Sequence, residues 1–302
     1  MLHNFQGKTA VLTGAGSGLG LACARRAAQL GMNLVLADVQ QDALDRAAQE
    51  LTAAGTPVLA MQVDVSKAGQ VEALGAAALQ RFGVPHLVFN NAGVAAGGLI
   101  WENTAADWEW VLGVNLMGVA HGVRVFTPLM LAAAAADPAY EGHIVNTASM
   151  AGLVSTPNMG VYNASKHAVV ALTETLYQDL SLVSDQIGAS VLCPYFVPTG
   201  ISRSQRNRPD SGMQPDAHAT PSKLIGQAMI DKAVGSGKVS AAEVAHQVFE
   251  AVAANRFYIY SHPQALAAVQ TRAQDLVQSR NPSDPFAAKP HIGAQLRKAL
   301  RR

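Results

Sequence analysis

The sequence predicts a doubly wound α/β fold, a parallel sheet with helices on both faces, and three observations carry that prediction. Apolar runs of four to six residues alternate with segments of helical periodicity from residue 9 to residue 193. The runs are near-continuous in apolar character, as strands buried on both faces are. The first of them passes through a cluster of glycines directly into a helix, the opening of a βαβ unit. No linker interrupts the alternation, so a single domain is expected over residues 1–262, with an insert at 199–238 and a C-terminal extension at 263–302 packed on it or trailing from it.

The elements follow in order. Residues 9–13 form the first strand and 19–30 the first helix, stopped by Gly31. A second strand at 33–37 leads to a helix at 41–54, a third at 58–63 to a helix at 70–82, and a fourth at 86–89 to a long helical stretch at 108–136. A kink is expected there near Pro128, which lacks an N–H and crowds the preceding turn. A strand at 143–147, a helix at 161–182 and a strand at 189–193 complete the regular pattern, and a helix at 243–255 and a strand at 256–260 follow the insert.

Composition narrows the function classes. Hydrophobic residues make up 49% of the chain and charged ones 14%, which fits a globular protein with much of its sequence buried. A formal charge of +1 gives no electrostatic reason to expect nucleic acid or an anionic membrane as partner, and the basic end at 297–302 reads as a solvated helix terminus. Cys23 and Cys193 lie in apolar segments and read as buried free thiols in a reducing compartment. The first residues lack the cationic, apolar and cleavage-site succession of a secretory leader, and no uncharged apolar run reaches about 18 residues. A cytoplasmic location is expected.

The chemistry centres on Tyr162 and Lys166, four residues apart and therefore one turn apart on one helix face. A phenol titrates near 10, so acting as a base at neutral pH requires a shift of about 4 kcal/mol. An ammonium about 4 Å away supplies that much at an effective dielectric near 20. Ser149, placed to bond the same substrate oxygen, would complete a proton-transfer site. Such a site needs a hydride acceptor. Between the first strand and first helix lies Thr13-Gly14-Ala-Gly16-Ser-Gly18-Leu-Gly20, a turn that lets backbone approach a pyrophosphate at the helix N-terminus. Asp38 ends the second strand, 20 residues after Gly18, where a carboxylate can bond the adenosine ribose hydroxyls. It would repel a 2′-phosphate, and Ser17 and Val39 supply no compensating cation, so NAD is expected over NADP.

The ordered set of glycine turn, Asp64-Val65, Asn90-Asn91-Ala92-Gly93, Asn115, Ser149 and Tyr162 with Lys166 resembles the short-chain dehydrogenase/reductase family, in its single-domain branch, over about residues 5–200. The resemblance implies a Rossmann-type sheet and catalytic residues Asn115, Ser149, Tyr162 and Lys166. It also implies a cofactor site drawn from Gly14, Ser17, Gly18, Leu19, Gly20, Asp38, Asp64, Val65, Asn91, Ala92, Gly93, Tyr162, Lys166, Pro194, Val197 and Thr199. In that scheme Asp64 and Val65 flank the adenine, and 90–93 supports the sheet and the cofactor. Asn115 holds a helix carbonyl and a water leading to Lys166, and Thr199 bonds the carboxamide. Lys166, bonding the nicotinamide ribose, and the cofactor's cationic ring would lower the Tyr162 pKa. Tyrosinate would then take the hydroxyl proton of a secondary alcohol.

The sequence departs from the family pattern at Pro194-Tyr195, where Pro-Gly is usual. Tyr195 would either narrow the pocket or belong to the core. Met150, Met159, Tyr195 and Phe196, and the loop at 95–99, would face a hydrophobic alcohol or ketone, an aromatic one included. The insert occupies the family's substrate-lid position, where Arg203, Arg206 and Arg208 would meet solvent or an anionic group of the substrate. The tail bears a slight similarity to that of members acting on benzylic alcohols of lignin-derived aryl ethers. A sugar or polyol dehydrogenase, and a non-catalytic NAD-binding sensor, are the alternatives, and a homodimer or homotetramer is expected through the helices at 108–136 and 161–182.

Overall fold

In the computed structural model, which describes residues 2–209 and 220–301, seven strands form one parallel sheet. They are β1 (Thr9–Thr13), β2 (Asn33–Asp38), β3 (Val58–Gln62), β4 (Leu87–Asn90), β5 (Gly142–Thr147), β6 (Ile187–Cys193) and β7 (Tyr258–Tyr260), in the order β3-β2-β1-β4-β5-β6-β7. The order reverses between β1 and β4, so the two halves of the sheet diverge at that point and leave a crevice at their C-terminal ends.

The apolar runs bury both faces by alternation. Ala10, Leu12, Leu34, Leu36, Leu87 and Phe89 point to one side, where α1 (Gly18–Gln29) packs against α8 (Ala241–Ala253). Val11, Val35, Val88 and Ile144 point to the other, against α3 (Ala68–Phe82) and α5 (Gly118–Ala136). The remaining helices before the insert are α2 (Gln41–Ala53), α4 (Ala105–Leu112) and α6 (Gly160–Val183). Phe89, Phe126 and Phe249 are nearly fully buried, each contributing about 1.5–3 kcal/mol of transfer free energy.

The interruption of the long helix is not at Pro128, which lies inside a regular α5. It is a π-helical turn at Gly113–Met117, where the Gly118 N–H reaches back to the Gly113 carbonyl. Such a turn admits one extra residue and re-aims the side chains on it, and here it buries Asn115 completely. The whole stretch, Ala105–Ala136, is long and apolar enough to cross a membrane by length and composition. In this fold it lays Phe126 and Met130 on the sheet, and Arg124 pairs with Glu72 of α3 at 2.6 Å.

The insert is more ordered than a polar loop. It holds a 3₁₀ segment at Gly200–Asn207 and α7 (Pro221–Gly235), which starts with Thr220 as cap and Pro221 in the first turn. The extension forms α9 (Leu266–Val277) and α10 (Pro290–Leu300). Cys23 and Cys193 are buried and free, as expected.

One buried group sets an acid limit on the fold. His143 is fully buried in β5, its Nε2 2.7 Å from Ser190 Oγ, and the Ser190 hydroxyl donates to the Arg256 carbonyl. Ser190 therefore accepts from Nε2–H, and Nδ1 has no partner among the described residues, so burial pulls the imidazole from 6.5 down to about 3. The unfolded chain takes up this proton below pH 6.5 while the folded chain does not, so its contribution is complete above 6.5 and is lost as pH falls toward 3. One proton corresponds to about 1.4 kcal/mol per pH unit. Urea midpoints should therefore fall between about pH 6.5 and 5 in the native protein, and less steeply in His143→Gln. Equal slopes would rule out His143 as the source.

Candidate active site

The sheet's C-terminal crevice opens into a cavity of about 1530 Å³, larger than a single small-ligand pocket and roomy enough for a cofactor and a substrate together. Of the catalytic, cofactor and pocket residues marked by the sequence, all but two line it. Gly20 and Asn115 stand behind its wall.

At one end lies the glycine turn. Gly14 and Gly18 take φ of 65° and 55°, the left-handed region open to glycine. Gly20 does not face the cavity: a Cβ there would sit 2.0 Å from the Gly14 carbonyl oxygen, so this glycine lets helix α1 begin directly against the turn. Asn91 ties the turn to the end of β4, its Nδ2 donating to the Thr13 carbonyl at 3.0 Å while its own N–H donates to Thr13 Oγ1 at 2.9 Å. The Asp38 carboxylate accepts from the N–H groups of Gly16 and Gln40, both at 2.9 Å, which fixes it beside the turn. Asp64 accepts from Ser66 N–H and Oγ and also faces the cavity.

This end fits an adenine dinucleotide. The exposed backbone at a helix N-terminus suits a diphosphate, and a carboxylate at the end of β2 suits the two hydroxyls of a ribose. Thr199 closes the turn from the far side, within 3.2 Å of where a Cβ on Gly18 would lie.

Tyr162, Ser149 and Lys166 line the same cavity side by side. Tyr162 sits 8% exposed in an apolar collar of Ala95, Ala151, Met159, Ile201, Ile230 and Val234. Burial pushes its phenol up, and a hydrogen bond with Ser149 draws it part of the way back. Ser149 caps the short helical turn at Met150–Gly152, accepting from Ala151 N–H at 3.1 Å. The Lys166 ammonium lies 5.7 Å from the Tyr162 ring centroid and donates to the Thr147 carbonyl at 2.9 Å. Burial pulls it from 10.5 down to about 8. The spacing of the two residues predicts a lowered Tyr162 pKa, but in the chain alone burial is the leading cause and raises it.

Asn115 also differs from expectation. Among the described residues its side chain holds no helix carbonyl. Its Oδ1 accepts from Val94 N–H at 2.8 Å, and Nδ2 donates to the Val94 carbonyl and to Ser165 Oγ, both at 3.0 Å. A residue of the π turn thus clamps the loop after β4 to helix α6, one residue before Lys166.

Tyr195 is no core residue: it is 43% exposed, stacks on Phe196 at a centroid distance of 3.9 Å and lines the cavity with it. Met150 is buried and Met159 sits in the collar, each also reaching the cavity wall. The three lid arginines have separate fates. Arg208 pairs with Asp107 at 2.7 Å, joined there by Lys223 at 3.0 Å, and both cations tie the insert to the start of α4. Burial opposes ionisation of Asp107, yet bonds from Thr104, Lys223 and Arg208 outweigh it and hold the carboxyl down to about 2. Arg206 lines the cavity, and neither Arg203 nor Arg208 does. Part of the expected lid, 210–219, lies outside the described residues.

Two sets of lining residues escaped the sequence. Ile230 and Val234 of α7 cover Tyr162, and their spacing of four residues was a legible apolar face. The extension supplies a wall that includes Ala268, Thr271, Phe286, Ile292 and Leu296, for which no local signal existed.

Comparison with known proteins follows the same lines. The family model for short chain dehydrogenase matches residues 8–210. The CLA biosynthesis dehydrogenase/reductase of Lactiplantibacillus plantarum is 34% identical, covering 93% of this chain and 97% of its own. The 1-deoxy-11-beta-hydroxypentalenate dehydrogenase of Streptomyces avermitilis is also 34% identical, over 90% of this chain and 89% of its own. A crystal structure of a short chain dehydrogenase/reductase from Burkholderia phymatum in complex with NAD superposes with a TM-score of 0.90 at 55% identity, covering 94% of this chain and 99% of that one.

Proposed function

The chain belongs to the short-chain dehydrogenase family, and from that premise we propose that it is an NAD-dependent oxidoreductase interconverting a bulky, largely apolar secondary alcohol and its ketone. The observation that carries the proposal is the convergence of Tyr162, Ser149 and Lys166 in one cavity whose other end is the glycine turn with Asp38. When bound, the nicotinamide cofactor supplies the hydride acceptor or donor. The chain's own residues manage the oxygen and its proton.

In alcohol oxidation, Tyr162 Oη takes the hydroxyl proton, and in ketone reduction it returns one. Ser149 donates to the same substrate oxygen and holds it against the phenol. Lys166, with one N–H committed to the Thr147 carbonyl, keeps two for a ribose hydroxyl and for proton exchange, and its shift to about 8 makes that exchange inexpensive near neutrality. Asn115 positions Lys166 indirectly, through Ser165 and the Val94 backbone.

The apolar collar on Tyr162 favours an apolar carbinol over a polyol, because a sugar's hydroxyls would lose water there without partners. The relatives named for CLA biosynthesis and for hydroxypentalenate agree with that preference. Asp38 supports NAD over NADP, as does the NAD complex of the Burkholderia phymatum relative.

A panel of alicyclic, aromatic and polyhydroxylated secondary alcohols, followed by absorbance of the reduced nicotinamide with NAD and then NADP, tests the proposal. Turnover of apolar alcohols with NAD is expected. Preference for polyols would overturn the substrate class, equal or better use of NADP would overturn the cofactor assignment, and no turnover at all would favour a sensor.

A further inference from the structure

We propose that Arg206 is a cofactor-binding residue, a cation held over the crevice to contact the diphosphate of an adenine dinucleotide. The inference rests on the dinucleotide reading of the cavity given above.

The 3₁₀ segment at Gly200–Asn207 crosses the crevice and is tied down on both banks. On the β4 side, Ser204 is 3% exposed and its Oγ accepts from Ala95 N–H at 3.0 Å. On the β2 side, Arg206 Nε donates to Gln40 Oε1 at 3.1 Å, two residues beyond Asp38. Arg206 Nη1 donates back to the Gly200 carbonyl at 3.1 Å and to the Arg203 carbonyl at 3.4 Å. These bonds commit Nη1 to the segment and Nε to the β2 loop. They leave both N–H groups of Nη2 without a partner among the described residues.

The position of that free nitrogen is set by its neighbours. A Cβ on Gly200 would lie 3.0 Å from Nη2, and the preceding residue, Thr199, packs over Gly18 at the N-terminus of α1. The guanidinium therefore stands between the helix N-terminus, which suits a diphosphate, and Asp38, which suits the adjoining ribose. Arg206 also lines the same cavity as Gly18 and Asp38. A guanidinium pre-oriented through Nε and Nη1 presents the two divergent N–H groups of Nη2, with a full positive charge, to phosphate oxygens. The helix N-terminus alone provides only partial positive charge, so a full charge opposite it strengthens retention of a doubly anionic linker.

The test is equilibrium binding to the full-length protein, with NADH followed by its own fluorescence and ADP and adenosine by competition against it. Arg206→Gln is expected to weaken NADH and ADP about ten-fold, while adenosine, which lacks the diphosphate, is unaffected. The difference should shrink at high salt, and Arg206→Lys should fall between the two proteins. Unchanged ADP affinity in Arg206→Gln would overturn the proposal. So would equal weakening of ADP and adenosine, which would mark Arg206 as a strut of the segment and not a ligand. Failure of the native protein to bind NADH or ADP at all would instead remove the dinucleotide reading and this inference with it.

Discussion

Tyr162→Phe is expected to keep the fold and bind NADH normally while turnover falls by roughly two to four orders of magnitude. The ring packs among Ala95, Met159, Ile230 and Val234, and phenylalanine fills the same collar, so the change removes only the hydroxyl. That hydroxyl is the group that Ser149 bonds and the one that faces the cavity from an apolar setting. The pH profile separates loss of an acid/base group from loss of packing. Burial holds the Tyr162 phenol above its usual value, so in the free enzyme it is protonated at neutral pH and suited to donate to a ketone. Alcohol oxidation needs the unprotonated form and should accelerate as pH rises, whereas reduction should slow. In Tyr162→Phe the residual rate should lose that dependence. A variant with near-native turnover and an unchanged profile would sink the assignment of Tyr162.

The second large effect is expected at Gly20. A Cβ there would lie 2.0 Å from the Gly14 carbonyl oxygen, 2.7 Å from its carbon and 2.8 Å from Asn91 Nδ2. Two of these atoms are backbone of the turn, and the third is committed to the Thr13 carbonyl, so nothing nearby can swing aside. Gly20→Ala must therefore displace either the turn or the start of α1. A loss of several kcal/mol in stability and of at least about 100-fold in NADH affinity is expected, read by thermal unfolding and by fluorescence titration. Gly69 provides the control. It lies in α3 with nothing within 4 Å of an added Cβ, so Gly69→Ala should be neutral or stabilise by up to about 1 kcal/mol. Native melting temperature and affinity in Gly20→Ala would show that the turn tolerates a side chain and would remove this account of it.

Legibility in the sequence followed the range of the interactions. The strands and helices of the sheet were readable because apolar runs buried on both faces leave a one-dimensional pattern. The glycine turn was readable because its φ values restrict residue choice over a few adjacent positions. The same locality explains the mismatches. Pro128 was a local signal of a kink, yet its missing N–H is absorbed inside α5, and the helix deforms instead at 113–117, where burying Asn115 against Val94 and Ser165 favours the extra residue of a π turn. Tyr195 could not be placed because exposure depends on what packs above it, and Phe196 and the open cavity decide that.

The sequence alone determined the alternation of strands and helices, the family to which the chain belongs, and which residues are marked for proton-transfer chemistry, because each is encoded in short-range spacing. Only the tertiary structure decided how those residues are tuned and enclosed. Lys166 is anchored to Thr147, Tyr162 is raised by burial, Asp107 gathers Arg208 and Lys223, and Arg206 spans to Gln40 across 166 positions of chain. The depth at which a single polar group is buried and the distant partners it meets are properties of the assembled layers, and neither leaves a period or a spacing in the sequence from which it could be read.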